Sequence, residues 1–193
     1  MFPSGDAYAV GPGGTILRYD GSWSAMNSGT TADLNDVFGF NDGRAFAVGA
    51  GGTVLTLKSG AWGPVDAGTD VNLFGVWGPG PDSLYVVGVG GTILRSGGGT
   101  WTFMDTATPN NLSSVFGFAG GAVFAAGDAG TILRYGGSVW APMSPGTSAD
   151  LYDVHGRSAT DLWAVGEAGT ILHFDGASWS SSASGTDRNL FGI

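Results

Sequence analysis

The 193 residues contain no cysteine, so neither a disulfide framework nor a thiolate metal site is available, and the redox compartment cannot be read from them. Lysine occurs once, as Lys58; with arginine it makes seven cations against 16 acids, a net charge of −9. Gripping a phosphate backbone takes clustered cations that release counterions, so nucleic acid is not an expected partner. No apolar run approaches the ~18 residues of a membrane span, and no membrane partner is expected. The start, Met1 to Asp6, lacks the basic and apolar regions of a secretory signal; the expectation is a protein kept in the cytosol unless a leader lies outside this sequence. No window places apolar residues at i, i+3, i+4 and i+7 with caps, so essentially no helix is expected.

What the chain has is glycine and a strict period. Glycine makes up 37 residues, and the glycines recur at fixed phases between apolar alternations. Trp23, Trp62, Trp101, Trp140 and Trp179 stand 39 residues apart. The same step relates Leu34, Leu73, Leu112, Leu151 and Leu190; Thr30, Thr69, Thr108, Thr147 and Thr186; and Val37, Val76, Val115, Val154 and Ile193. Repetition at this period, in units rich in glycine and β-formers, is the signature of propeller blades.

One repeat, residues 34 to 66, resolves into four strands. Leu34 to Phe40 ends at the turn residues Asn41-Asp42-Gly43. Ala45-Phe46-Ala47-Val48 alternates small and large residues, so a sheet stacked on the alanine face can approach closely. After Gly49-Ala50-Gly51-Gly52 come Thr53 to Leu57, the turn Ser59-Gly60, and Ala61 to Val65, where Pro64 costs no ladder bond on an outer edge. The second-strand aromatic returns as Tyr8, Phe46, Tyr85, Phe124 and Trp163, as one stacked layer repeated around an axis requires. The fold expected is all-β: a five-bladed β-propeller of four antiparallel strands per blade, one domain over residues 1–193. Residues 2–26 supply three strands of one blade, and residues 187–193, including Asn189-Leu190-Phe191-Gly192-Ile193, are expected to close it and leave no edge.

The run from Leu151 through Leu162-Trp163-Ala164-Val165-Gly166-Glu167-Ala168-Gly169-Thr170-Ile171-Leu172-His173-Phe174-Asp175-Gly176 to Trp179 and Thr186 resembles the repeat of the photosystem II stability/assembly-factor-like propellers, and related repeats in secreted bacterial proteins. The resemblance extends over all five copies. It implies a propeller with a binding or assembly role, usually outside the cytoplasm. The pairs Asp20-Gly21 and Asp175-Gly176 also resemble a degenerate sialidase Asp-box; the other copies have Lys58-Ser59, Gly97-Gly98 and Gly136-Gly137, which makes that turn structural.

Several constellations are candidates for chemistry. The Gly-rich segments, such as Gly11-Pro12-Gly13-Gly14 and Gly88-Val89-Gly90-Gly91, are read as hairpin turns, since a phosphate cradle needs a helix behind it and here a strand follows. Arg18, Thr56, Arg95, Arg134 and His173 share one phase on the third strand. Arg18, Arg95 and Arg134 could grip carboxylate or sulfate groups bidentately, or each arginine lies along its blade and pairs with a neighbouring acid such as Asp36 or Asp153. Asp33, Asp70, Asn110, Asp150 and Asp187 lie on connections leading into the first strands and are candidate ligand-binding residues for Ca²⁺ or sugar hydroxyls, or ordinary turn formers. His155 and His173, the only histidines, occupy different phases, so neither a metal centre nor a nucleophile–base pair is expected. Asn111-Leu112-Ser113 matches a glycosylation sequon but opens a strand.

Connections of one length, save for a residue missing between Thr15 and Trp23, and the lack of paired carboxylates, disfavour an enzyme. No cofactor is expected. The reading is a non-enzymatic binding module, recognising protein or carbohydrate through repeated shallow sites with exposed tryptophans, and a monomer if the ring closes. A glycosidase-like or other hydrolytic propeller, and a structural piece of a longer multi-blade protein, stand as alternatives.

Overall fold

A computed structural model describes residues 5–97 and 99–193. Among them there is no α-helix, and no helix long and apolar enough to cross a membrane. The chain forms five antiparallel sheets. The first has three strands, β1 (Ala7–Gly11), β2 (Thr15–Tyr19) and β3 (Trp23–Met26). The others have four each, paired in chain order: β4 (Leu34–Gly39), β5 (Ala45–Gly49), β6 (Val54–Lys58) and β7 (Ala61–Pro64); β8 (Leu73–Gly80), β9 (Ser83–Gly88), β10 (Ile93–Gly97) and β11 (Thr100–Phe103). The fourth holds β12 (Leu112–Gly117), β13 (Val123–Gly127), β14 (Thr131–Tyr135) and β15 (Trp140–Pro142); the fifth holds β16 (Leu151–Ser158), β17 (Asp161–Gly166), β18 (Ile171–Phe174) and β19 (Trp179–Ser181).

The expected fourth strand of the first sheet is not formed among the described residues: residues 187–193 belong to no strand. Two of their backbone N–H groups donate to the fifth sheet. Leu190 N–H donates to Gly166 O, and Ile193 N–H to Asp153 Oδ2 at 2.9 Å.

The chain divides into two compact units, residues 1–86 with 94–102, and residues 87–93 with 103–193. In the first unit, one core gathers Ile16, Leu34, Ala47, Leu55 and Trp62, and another Phe46, Val48, Leu73, Val76, Leu84 and Leu94. Each draws its members from successive sheets, because a sheet hydrophobic on both faces is stable only when a neighbour covers it. In the second unit, Phe124, Ile132, Leu151, Leu162, Leu172 and Trp179 form the equivalent core. The alanines expected to permit close stacking are fully buried: Ala45, Ala47, Ala125, Ala126 and Ala164 are each 0% exposed.

The periodic tryptophans are mostly core residues, which corrects the expectation that they are exposed for binding. Trp62, Trp140 and Trp179 are buried, and Trp101 is half-buried. Trp62 meets Tyr8 of the preceding sheet edge-on at 5.9 Å, and Trp140 Nε1–H donates to Met104 Sδ at 3.4 Å. Trp23, in the three-stranded sheet, is 54% exposed and leans on Tyr19 at 5.4 Å.

Candidate functional site

Between β1 and β2 of the first sheet, and between the second and third strands of each four-stranded sheet, lies a single 3-10 turn: Pro12–Gly14, Ala50–Gly52, Val89–Gly91, Asp128–Gly130 and Glu167–Gly169. A strand follows each, as a hairpin turn requires and a phosphate cradle does not. The 39-residue period is explained here by three linked contacts. The last glycine of each turn has positive φ, and a Cβ there would lie 1.9–2.1 Å from a carbonyl oxygen of the connection into the next sheet: Thr30, Thr69, Thr108, Thr147 or Thr186. Each of those threonines accepts on its hydroxyl the N–H two residues on, from Ala32, Val71, Asn110, Ala149 or Arg188. Finally, the residue before each periodic leucine, Asp33, Asn72, Asn111, Asp150 or Asn189, accepts from the middle N–H of the turn at 2.8–3.1 Å.

That geometry separates the candidate acids. Asp33 and Asp150 are turn clamps. Asp70 and Asp187 belong to another phase and are exposed, with Asp187 3.9 Å from Arg188. Asn110 belongs to a third; its amide donates to Thr131 Oγ1 at 2.8 Å. The five lie on successive connections. The clamp set was readable: stepping back one residue from each periodic leucine yields all five members. Among the described residues, no group of three His, Cys, Asp or Glu could hold a metal ion.

The third-strand cations stay within their own sheets. Arg18 reaches both carboxylate oxygens of the buried Asp6 at 3.2 Å, which raises its pKa. Arg95 lies 5.6 Å from the centre of the Tyr85 ring, and Arg134 5.9 Å from that of Phe124. His173 stacks on Trp163 at 4.2 Å and bonds Asp161 at 2.9 Å. Asp36 and Asp153, the expected arginine partners, accept from backbone and hydroxyl donors. Asp36 takes the N–H groups of Val37 and Val76 at 2.8 and 2.9 Å; Asp153 takes those of Val154 and Ile193, both at 2.9 Å, and the Ser114 hydroxyl at 2.7 Å. The reason is register: each third-strand cation sits opposite the second-strand aromatic, as in the pairs Phe124–Arg134 and Trp163–His173, so the ring face is the nearest surface. Asp175, of the Asp-box-like turn, accepts from Ala177 and Ser178 N–H at 2.9 Å each, which lowers its pKa. His155 lies against Phe116 at 4.0 Å and is separated from His173 by Trp163, which pairs with both in the ladder.

Clefts open beside the connections that join successive sheets. In the second unit two are equivalent: one lined by Thr108, Gly130, Thr131, Ile132 and Leu133, of about 340 Å³, the other by Thr147, Gly169, Thr170, Ile171 and Leu172, of about 380 Å³. In the first unit a cleft of about 220 Å³ lies between the second and third sheets, floored by Phe46, Val65 and Leu84, walled by Trp101, and rimmed by Arg44, Lys58 and Asp82. Arg44 ties that rim together, meeting Asp42 at 2.7 Å and Asp82 at 2.9 Å. The Arg44 backbone N–H, with its guanidinium, holds the Asp42 carboxyl below the usual carboxylate range. Sequence reading missed this cleft, although the lone lysine and the threonine interrupting the arginine phase both line it.

A scan of protein-family models finds none that matches, and neither does a search of curated proteins. Solved structures do match. The chain is similar to YCF48 from Cyanidioschyzon merolae, with TM-score 0.73 and 16% identity over 97% of this chain and 71% of that one. It is similar to YCF48 bound to D1 peptide, with TM-score 0.69 and 17% identity over 91% of this chain and 63% of that one. It is also similar to Sqt1 from Chaetomium thermophilum, with TM-score 0.73 and 15% identity over 97% of this chain and 57% of that one. Against the latter two the chain spans less than two thirds of their length. With the five repeated antiparallel sheets, these likenesses show the fold of a β-propeller.

Proposed function

We propose that this chain is a non-enzymatic interaction module that binds extended polypeptide segments in the clefts beside the connections between sheets. The observation behind the proposal is the pair of equivalent clefts in the second unit, formed by residues one repeat apart. Sites of one shape in register favour a partner with a repeating backbone, and weak contacts at several of them sum to useful avidity. The similar structure of YCF48 bound to D1 peptide supports the same ligand class.

The finer architecture belongs to the proposal too: one five-bladed ring over residues 1–193, monomeric, completed by residues 187–193. It is supported by the unbroken period and by the tail, whose Ile193 N–H meets Asp153 as Val76 N–H in β8 meets Asp36 in β4. Light scattering on the eluted protein checks it; a mass of 19.4 kDa is expected, and a stable dimer would refute it. The function is tested by an immobilised peptide library set beside a glycan array. Saturable binding to peptides with an empty glycan array supports the reading. Binding to sugars alone would replace it with a lectin.

A further inference from the structure

We propose that the cleft between the second and third sheets is a selective site for an apolar side chain with a carboxylate beside it. The naming of a peptide as its source rests on the interaction function above; the chemistry of the site does not.

The cleft arises from one break in the repeat. On the strand equivalent to β6 the other sheets carry Arg18, Arg95, Arg134 or His173, and in three of them that side chain lies over the aromatic opposite and covers it. The second sheet has Thr56, opposite Phe46 in the ladder. Threonine is too short to cover the ring, and the volume that a guanidinium would occupy is left between Phe46, Leu84 and Trp101. About 220 Å³ is below the ~300–1,000 Å³ of drug-sized sites; it suits one large side chain.

The charge displaced from position 56 returns two residues later. Lys58 is on the same face of β6, since side chains alternate along a strand, and it is the only lysine of the chain. Among the described residues it has no ion pair, whereas Arg44, the other cation of the rim, is held by Asp42 and Asp82. In a protein of net charge −9, an unpaired ammonium beside an apolar floor and a tryptophan wall selects an anion joined to an apolar group. Arg44 pins the rim and Lys58 is left to meet the ligand. The neighbouring polar groups are already satisfied, as Ser96 Oγ accepts from Leu84 N–H at 2.8 Å, so the floor offers packing and not hydrogen bonds.

Two sources provide this chemistry: a peptide ending in an apolar residue, and a free aryl or alkyl carboxylic acid. The test titrates the full-length ¹⁵N-labelled protein with a Gly-Gly-Phe peptide bearing a free C-terminus, the same peptide as its amide, and 3-phenylpropionate. Shifts of the Trp101 indole N–H and of the Thr56 and Lys58 amides are followed. The free acid is expected to saturate and the amide to bind about tenfold more weakly, the usual effect of a charge-assisted contact. K58M should reduce the acid to the amide's affinity and leave the amide unchanged. T56F, which fills the cleft, should abolish the shifts while circular dichroism and urea midpoint confirm that the protein is folded. Equal affinity for acid and amide, or undiminished binding by folded T56F, overturns the proposal. If 3-phenylpropionate saturates and both peptides fail, the site stands as a small-carboxylate site and the peptide function is what fails.

Discussion

Replacing Gly52 with alanine should be far more damaging than replacing Gly51, one residue earlier in the same turn. Both glycines have positive φ, +60° at Gly51 and +69° at Gly52. A Cβ at Gly51 meets nothing within 4 Å, whereas at Gly52 it would lie 1.9 Å from Thr69 O and 2.6 Å from Thr69 C. The left-handed conformation costs an L-residue about 1–2 kcal/mol. At Gly51 that is nearly the whole cost, and the protein already tolerates it, since Ala129 and Ala168 occupy the same phase at φ of 52° and 51°. At Gly52 the clash is with backbone, which cannot rotate away; overpacking adds about 1–3 kcal/mol. G51A should therefore lose about 1–2 kcal/mol and G52A about 2–5 kcal/mol. At ~2–4 °C per kcal/mol for a chain of this size, G52A should melt roughly 4–20 °C below the wild type and G51A within roughly 8 °C of it. Circular dichroism melts and urea midpoints measure both. Equal losses would refute the claim that close approach between turn and connection, and not φ alone, fixes this glycine.

The clamp residues give a paired test. N72D should be neutral, because Asp33 and Asp150 already serve in that role, whereas N111D should destabilise at neutral pH: Asn111 Nδ2 now donates to Asp128 Oδ2 at 2.8 Å, and a second carboxylate would repel it. Matching urea midpoints for the two variants would sink this. R134A should cost about 0.5–1 kcal/mol, the worth of an exposed cation over a ring, measured by urea unfolding; a loss above about 2 kcal/mol would show that Arg134 has a partner besides Phe124. Finally, the His173 bond, helped by Arg157, lowers the pKa of Asp161. A depressed carboxylate pKa contributes stability above its unfolded value, near 4, and that stability is lost as pH falls through the folded value. Melting temperature should therefore fall less between pH 5 and pH 2 in D161N than in wild type; parallel curves would refute the assignment.

Much of the fold is legible in the chain because every repeat answers the same local question in the same way. Alternation of small and large residues, glycine at each sharp reversal and leucine at each strand entry placed nearly all the strands. The tail is less legible: Asn189 to Ile193 have the composition of a strand, yet strand pairing is a property of two segments, and the second lies far away along the chain. The candidate site was less legible. Asp33 and Asp150 stood out as acids, but their asparagine equivalents Asn72, Asn111 and Asn189 were passed over, since the shared property is an acceptor oxygen and not a charge. Arg18, Arg95 and Arg134 are open on sequence to gripping anions or to lying along their own blades; the partners, Asp6 for Arg18 and the rings of Tyr85 and Phe124 for the other two, are set by register.

By itself, the sequence determined the period, the all-β class, the turns and the number of sheets, because these depend on backbone preference and on hydrophobic spacing within about 39 residues. Only the tertiary structure decided which tryptophans are core, what each acid accepts, and that Thr56 leaves a void beside an unpaired Lys58. Those outcomes depend on what the neighbouring sheet places across the gap, and no reading along one strand includes that distance.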